Sequence, residues 1–191
     1  MSDRRGIFSL EEFYDLQVSG ETSTISDTFI YVTSVHPAQT AGPAMGYWAG
    51  GNGSVVDRVD FSNDTPTASA RGNLSVSTRS GLGNGGSTPS YGYAFAGSPG
   101  PKSSVDRIDY SNDSATASPK GPLSYARSQH STITNTNYGY TGGGWPGPYS
   151  TIDRLDYAND TATATSLGNI MVPSGRDYAT TGNQSYGYFA G

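Results

Sequence analysis

The sequence predicts an all-β protein built from a repeat of about 47 to 49 residues. Three observations lead there. A hexapeptide recurs as Val56-Asp57-Arg58-Val59-Asp60-Phe61, Val105-Asp106-Arg107-Ile108-Asp109-Tyr110 and Ile152-Asp153-Arg154-Leu155-Asp156-Tyr157. An aromatic-glycine run precedes each copy, at Gly46-Tyr47, Tyr91-Gly92-Tyr93 and Tyr138-Gly139-Tyr140, and appears again at Tyr186-Gly187-Tyr188. The third observation is composition: 34% of the residues are hydrophobic, below the roughly 45–50% usual in globular domains when glycine is counted there. Disorder would call for few aromatics and a strong net charge, whereas this chain has 14 tyrosines and a net charge of -5. An ordered β protein with a thin core follows, in which tyrosines supply much of the buried area.

The same composition excludes several functions. Binding a phosphate backbone needs clustered Lys and Arg, and Arg4-Arg5 is the only basic pair. Without cysteine there is neither a disulfide framework nor a thiolate metal site. No apolar run approaches the roughly 18 residues of a membrane span, and the first residues lack the apolar stretch of a signal peptide.

Residues 1–44 stand outside the repeat. Ser9-Leu10-Glu11-Glu12 fits a capping box, and Leu10, Phe13, Tyr14 and Gln17 follow at one-face spacing, so a helix of about two turns is expected, ended by Ser19-Gly20. Residues 28–35 are rich in β-branched and aromatic side chains and suit a strand. A segment of this size cannot build a core alone, so it is expected to dock on the repeat region, on another copy of the chain or on a different protein.

Residues 45–191 form the repeat domain. Alternation places Tyr91, Tyr93 and Phe95 on one face of an aromatic strand. In the hexapeptide strand Val105, Arg107 and Asp109 share one side, so that Arg107 can pair with Asp109, while Asp106, Ile108 and Tyr110 share the other. Asn112-Asp113 marks the reversal, a third strand is expected over residues 115–118, and residues 123–134 supply a fourth. Asp57, Arg58, Asp60, Asp106, Arg107, Asp109, Asp153, Arg154 and Asp156 are thus read as structural repeat residues. Units this small must lean on neighbours.

Chemical motifs are few. Gly81-Leu82-Gly83-Asn84-Gly85-Gly86 matches a dinucleotide signature in letters but opens no helix. The repeated aspartates could suggest calcium, yet no complete loop motif is present. His36 and His130 are isolated, and the only glutamates, Glu11, Glu12 and Glu21, precede the repeats. No catalytic, cofactor or metal residue is assigned, and no enzyme activity is expected. The favoured contact surface is the loop set Ser98-Pro99-Gly100-Pro101-Lys102, Trp145-Pro146-Gly147-Pro148-Tyr149 and Lys120-Gly121-Pro122. There Trp145, Tyr149, Lys102 and Lys120 could meet a glycan or a protein partner.

These units resemble kelch repeats in three features. The first is Gly50-Gly51 and Gly142-Gly143 after aromatic strands, with Gly97-Ser98 in the doublet's place in the middle repeat. The second is Asp109-Tyr110 and its cognates. The third is Ala126-Arg127, with Thr78-Arg79 and Gly175-Arg176 as weaker cognates. The kelch tryptophan of the outer strand is replaced by Ala and Thr. This resemblance implies a β-propeller with about three blade equivalents per chain. Because closed propellers have about 4–8 blades, completion by oligomerisation is expected.

The hexapeptide with its Ser-Asn-Asp turn, the Gly-Pro-Leu-Ser segment at residues 121–127 and the leader at residues 5–14 are similar to repeat proteins of tailed phages infecting marine cyanobacteria. That likeness implies a non-enzymatic virion protein, tail or tail-fibre associated. Copies of itself, and other virion proteins held through residues 1–44, would be its partners. A host-recognition protein that binds carbohydrate through its Pro/Gly-rich loops is the alternative.

Overall fold

Alternating side chains decide which face of each strand is buried, and the computed structural model carries that alternation into four small antiparallel sheets. It describes residues 45–51, 53–76, 79, 82, 85–147, 149–171 and 178–190. All of them lie within the unit His36–Gly191. The helix and strand expected within residues 1–44, His36, Gly175-Arg176 and half of the 81–86 glycine run lie outside the described residues.

The first sheet is β1 (Met45–Ala49), β2 (Val55–Asp60) and β3 (Ser69–Asn73), in that order. The second is β4 (Gly86–Ser87), β5 (Tyr91–Phe95), β6 (Val105–Asp109) and β7 (Ser118–Lys120). The third is β8 (Ser131–Thr134), β9 (Tyr138–Gly142), β10 (Thr151–Asp156) and β11 (Thr165–Asn169). A hairpin of β12 (Ala179–Gly182) and β13 (Gly187–Ala190) completes the described set. The aromatic strand pairs with the hexapeptide strand in one register throughout: Met45 opposite Asp60, Tyr91 opposite Asp109 and Tyr138 opposite Asp156.

Stacking of consecutive sheets makes the core. Between the first and second sheets lie Val56, Leu74, Ala94, Ile108 and Ala117, with Tyr47 stacked on Tyr110 at 4.8 Å. Between the second and third lie Tyr93, Phe95, Val105, Leu123 and Leu155, with Tyr93 stacked on Tyr157 at 4.6 Å. One face of the hexapeptide strand therefore meets the preceding sheet and the other the following sheet, as the alternation requires.

Two strands differ from expectation. The strand expected over residues 115–118 starts instead at Ser118, as β7, because residues 110–117 are otherwise engaged. Tyr110–Asn112 forms a single 3-10 turn, Ala115 N–H donates to Asn112, and Ala117 N–H donates to Asn73 of the first sheet. Of residues 123–134 only Ser131–Thr134 is a strand. Leu123 fills the core, and the following residues reach a buried aspartate described below.

The left-handed doublet stands where expected in the first repeat and one position away from it in the other two. Left-handed backbone falls on Gly50-Gly51, Ala96-Gly97 and Gly143-Gly144. Ala96 thus keeps the conformation at φ 51° despite its Cβ.

Candidate functional site

The most conspicuous polar groups are buried. Arg79 and Arg127 have no exposed side-chain surface, and neither have their partners Asp106 and Asp153. Arg79 donates to Asp106 at 2.5 Å and to the carbonyls of Ala96 and Ser104 at 2.5 and 2.7 Å. Arg127 donates to Asp153 at 3.0 Å and to the carbonyls of Gly143 and Thr151, both at 3.1 Å. The left-handed residues aim the carbonyls of Ala96 and Gly143 inward to meet these guanidinium groups. Ser75 and Ser124 complete each carboxylate through backbone N–H and hydroxyl. Burial pulls both arginine pKa values down, against the opposing pull of the carboxylates.

Each arginine is also a link between sheets. Arg79 N–H donates to Gly53 of the first sheet's loop, and Arg127 N–H donates to Lys102 of the second sheet's loop. Backbone holds one sheet while the side chain holds the next. Asp57, the cognate of Asp106, has no such arginine among the described residues.

A second linkage crosses the first-to-second and second-to-third sheet boundaries near the surface. The phenol of Tyr47 and the guanidinium of Arg58 donate to Asp113 at 3.0 and 2.7 Å, and Arg71 lies 3.5 Å away. One sheet further on, Tyr93 and Arg107 donate to Asp160 at 3.0 and 2.8 Å, with Lys120 at 3.5 Å. Burial, then the bond to Asp160, pushes the Tyr93 phenol pKa upward. Gly72 N–H donates to the Asp113 carbonyl and Gly121 N–H to that of Asp160, each at 2.8 Å. A Cβ at either glycine would lie 1.8 Å from a carbonyl oxygen of the next sheet.

These contacts revise the expected role of Arg107. Its partner is Asp160 of the following sheet, and Asp109 instead accepts from Ser111 N–H and hydroxyl to start the 3-10 turn. Asp156 starts the cognate 3-10 turn by accepting from Ala158 N–H, and Asp60 accepts from Ser62 N–H and hydroxyl. Carboxylates that accept two or more such bonds are held below the usual range, as at Asp60 and Asp109. Asp113 and Asp160 stand in right-handed backbone at the ends of these turns, not in left-handed backbone. The spacing aromatic-x-x-Asp at Phe61 to Asp64, Tyr110 to Asp113 and Tyr157 to Asp160 was the available signal for their role.

The four loop residues are placed differently from one another. Trp145 is 40% exposed and pairs through its backbone with Ser128. Tyr149 stacks on Tyr125 at 6.0 Å, with the Arg127 guanidinium 5.7 Å from its ring. Tyr125, 49% exposed, joins this aromatic patch without having been singled out in the sequence. Lys102 contributes its backbone to the Arg127 bridge. Lys120 is largely covered and turned toward Asp160, so it is held within the fold.

His130 is buried, and neither ring nitrogen has a hydrogen-bond partner among the described residues. Burial, then Arg127 and Arg79, pull its pKa down to about 3, so the imidazole is neutral. Among the described residues no group of three or more His, Asp or Glu is gathered as a metal ion would need. No helix among them is long and apolar enough to cross a membrane. Comparison with protein-family models finds no match to this chain, and comparison with curated proteins finds none.

Proposed function

We propose that this chain is a non-enzymatic structural component of a phage virion, associated with the tail or a tail fibre. In this reading its sheets are kelch-like propeller repeats, completed by association with further chains, and residues 1–44 attach it to other virion proteins. The observation that carries the assembly reading is the recurrence of one sheet-to-sheet joint: a buried Arg-Asp pair inside, a Tyr-Arg-Asp cluster outside and a glycine at backbone contact. Joints that repeat can be extended by another chain. The virion role is supported by the likeness of the leader and hexapeptide to cyanophage repeat proteins. Sedimentation of the purified protein at micromolar concentration tests the assembly part. A multimer is expected, and a stable, folded monomer would count against it.

A second reading has its own support. Trp145, in the Tyr149 loop, and Tyr125, stacked on Tyr149, are exposed large aromatics, and such rings can stack on sugars. Under that reading, glycan-array binding is present and lost in Trp145→Ala.

A further inference from the structure

The third sheet presents the joint's donor half with no acceptor among the described residues. Tyr140 and Arg154 are the cognates of Tyr93 and Arg107, by the shared register of their strands. Arg107 lies over the Tyr91 ring at 4.2 Å and also holds Asp160. Arg154 lies over the Tyr138 ring at 4.6 Å, and no carboxylate among the described residues meets it. At Gly168, the cognate of Gly72 and Gly121, an added Cβ would meet nothing within 4 Å, where its counterparts would strike the next turn. Leu167 beside it is 41% exposed.

A cleft of about 340 Å³ opens over this face, lined by Ile133, Tyr140, Ile152, Leu167, Tyr186 and Phe189. Its far wall is β13, whose one strand partner among the described residues is β12. In the other sheets the aromatic strand at β13's position pairs on that second edge with a hexapeptide strand. Among the described residues four vacancies therefore coincide: a strand edge, an apolar cleft, a Tyr-Arg pair and the space above a glycine.

We propose that this cleft receives a β-hairpin from a partner polypeptide. Its first strand would read apolar-Asp-Arg-apolar-Asp-aromatic, and its turn would carry an aspartate three residues past the aromatic. The strand adds to the β13 edge by main-chain hydrogen bonds. Its aromatic and apolar side chains fill the cleft, and the turn aspartate accepts from Tyr140 and Arg154. The partner is distinct from a second copy's first sheet, because β2 there already has β1 and β3 on its two edges and offers none to β13. This deepens the assembly reading, on which it rests for biological context, by naming the surface and the chemistry of what fits it.

The test uses the full chain and a labelled synthetic peptide of its own residues 103–122, which carries the required strand and turn, followed by fluorescence anisotropy. Saturable binding is expected, weakened at least about tenfold by Arg154→Ala in the protein and by Asp113→Asn in the peptide, as for a charge pair at an interface. Leu167→Glu should weaken it as well. Thermal unfolding of Arg154→Ala should match the parent, since the side chain is partly exposed and bears no ion pair among the described residues. Absence of saturable binding, or equal affinity for the parent and Arg154→Ala proteins, overturns the proposal. Sedimentation of the chain alone reads the assembly proposal separately, so each can fail while the other stands.

Discussion

Replacing Asp106 with alanine tests the central energetic feature of the fold. The carboxylate and the Arg79 guanidinium have no exposed surface, and the carboxylate also satisfies Ser75 N–H and hydroxyl. Removing it leaves a cation whose remaining partners are the carbonyls of Ala94, Ala96 and Ser104. Breaking a buried pair from one side costs about 3–5 kcal/mol. A domain of this size loses about 2–4 °C of Tm per kcal/mol, so a fall of roughly 6–20 °C is expected. Urea unfolding followed by circular dichroism should show a lower midpoint with an unchanged slope. Replacing the pair with apolar residues, Arg79→Met with Asp106→Leu, should recover most of the loss, since similar-volume apolar replacements of buried pairs are often neutral or stabilising. A single variant within about 0.5 kcal/mol of the parent, the range of ordinary surface changes, would refute the reasoning. So would a double variant that merely sums the two singles.

Three further outcomes follow from the joints and the core. Gly121→Ala should cost about 1–3 kcal/mol or more by urea titration, because its Cβ has 1.8 Å to the Ala162 carbonyl oxygen; Gly168→Ala, with open space there, should cost far less. Asp160→Asn should cost about 1–2 kcal/mol, discounted because Arg107 is partly exposed, and should shift the near-ultraviolet dichroism of the Tyr93 and Tyr157 stack. His130 is neutral when folded, and its pKa lies below the unfolded value near 6.5. Its contribution is therefore present above pH about 6.5 and is lost as pH falls toward about 3, by about 1.4 kcal/mol per unit. Urea midpoints at pH 7 and 4.5 should converge in His130→Leu relative to the parent.

Much of the strand order was legible because period-two alternation and the turn residues are local signals. The three hexapeptides became β2, β6 and β10, and Val105 and Arg107 share a face as read. What escaped was partner choice. Asp109 lies close enough along the chain to pair with Arg107, but it is captured by the amide of Ser111, leaving the guanidinium to a carboxylate 53 positions away. The third strand began late for a similar reason: Ala117 bonds the preceding sheet before β7 can start. Contacts between sheets depend on stacking register, which no single stretch encodes. Lys120 shows the same on the site side, as it resembles a loop cation in sequence and closes onto Asp160 in the structure.

The two arginines that grip one sheet by backbone and the next by side chain make neighbouring layers share the cost of opening. Loss of order should then spread from the margins inward, each layer protecting the one behind it as in a nearest-neighbour chain. Amide hydrogen exchange would display this as a gradient, slowest across β5 and β6, which have an arginine clamp on either side, and fastest in β12 and β13, where the described clamps have run out.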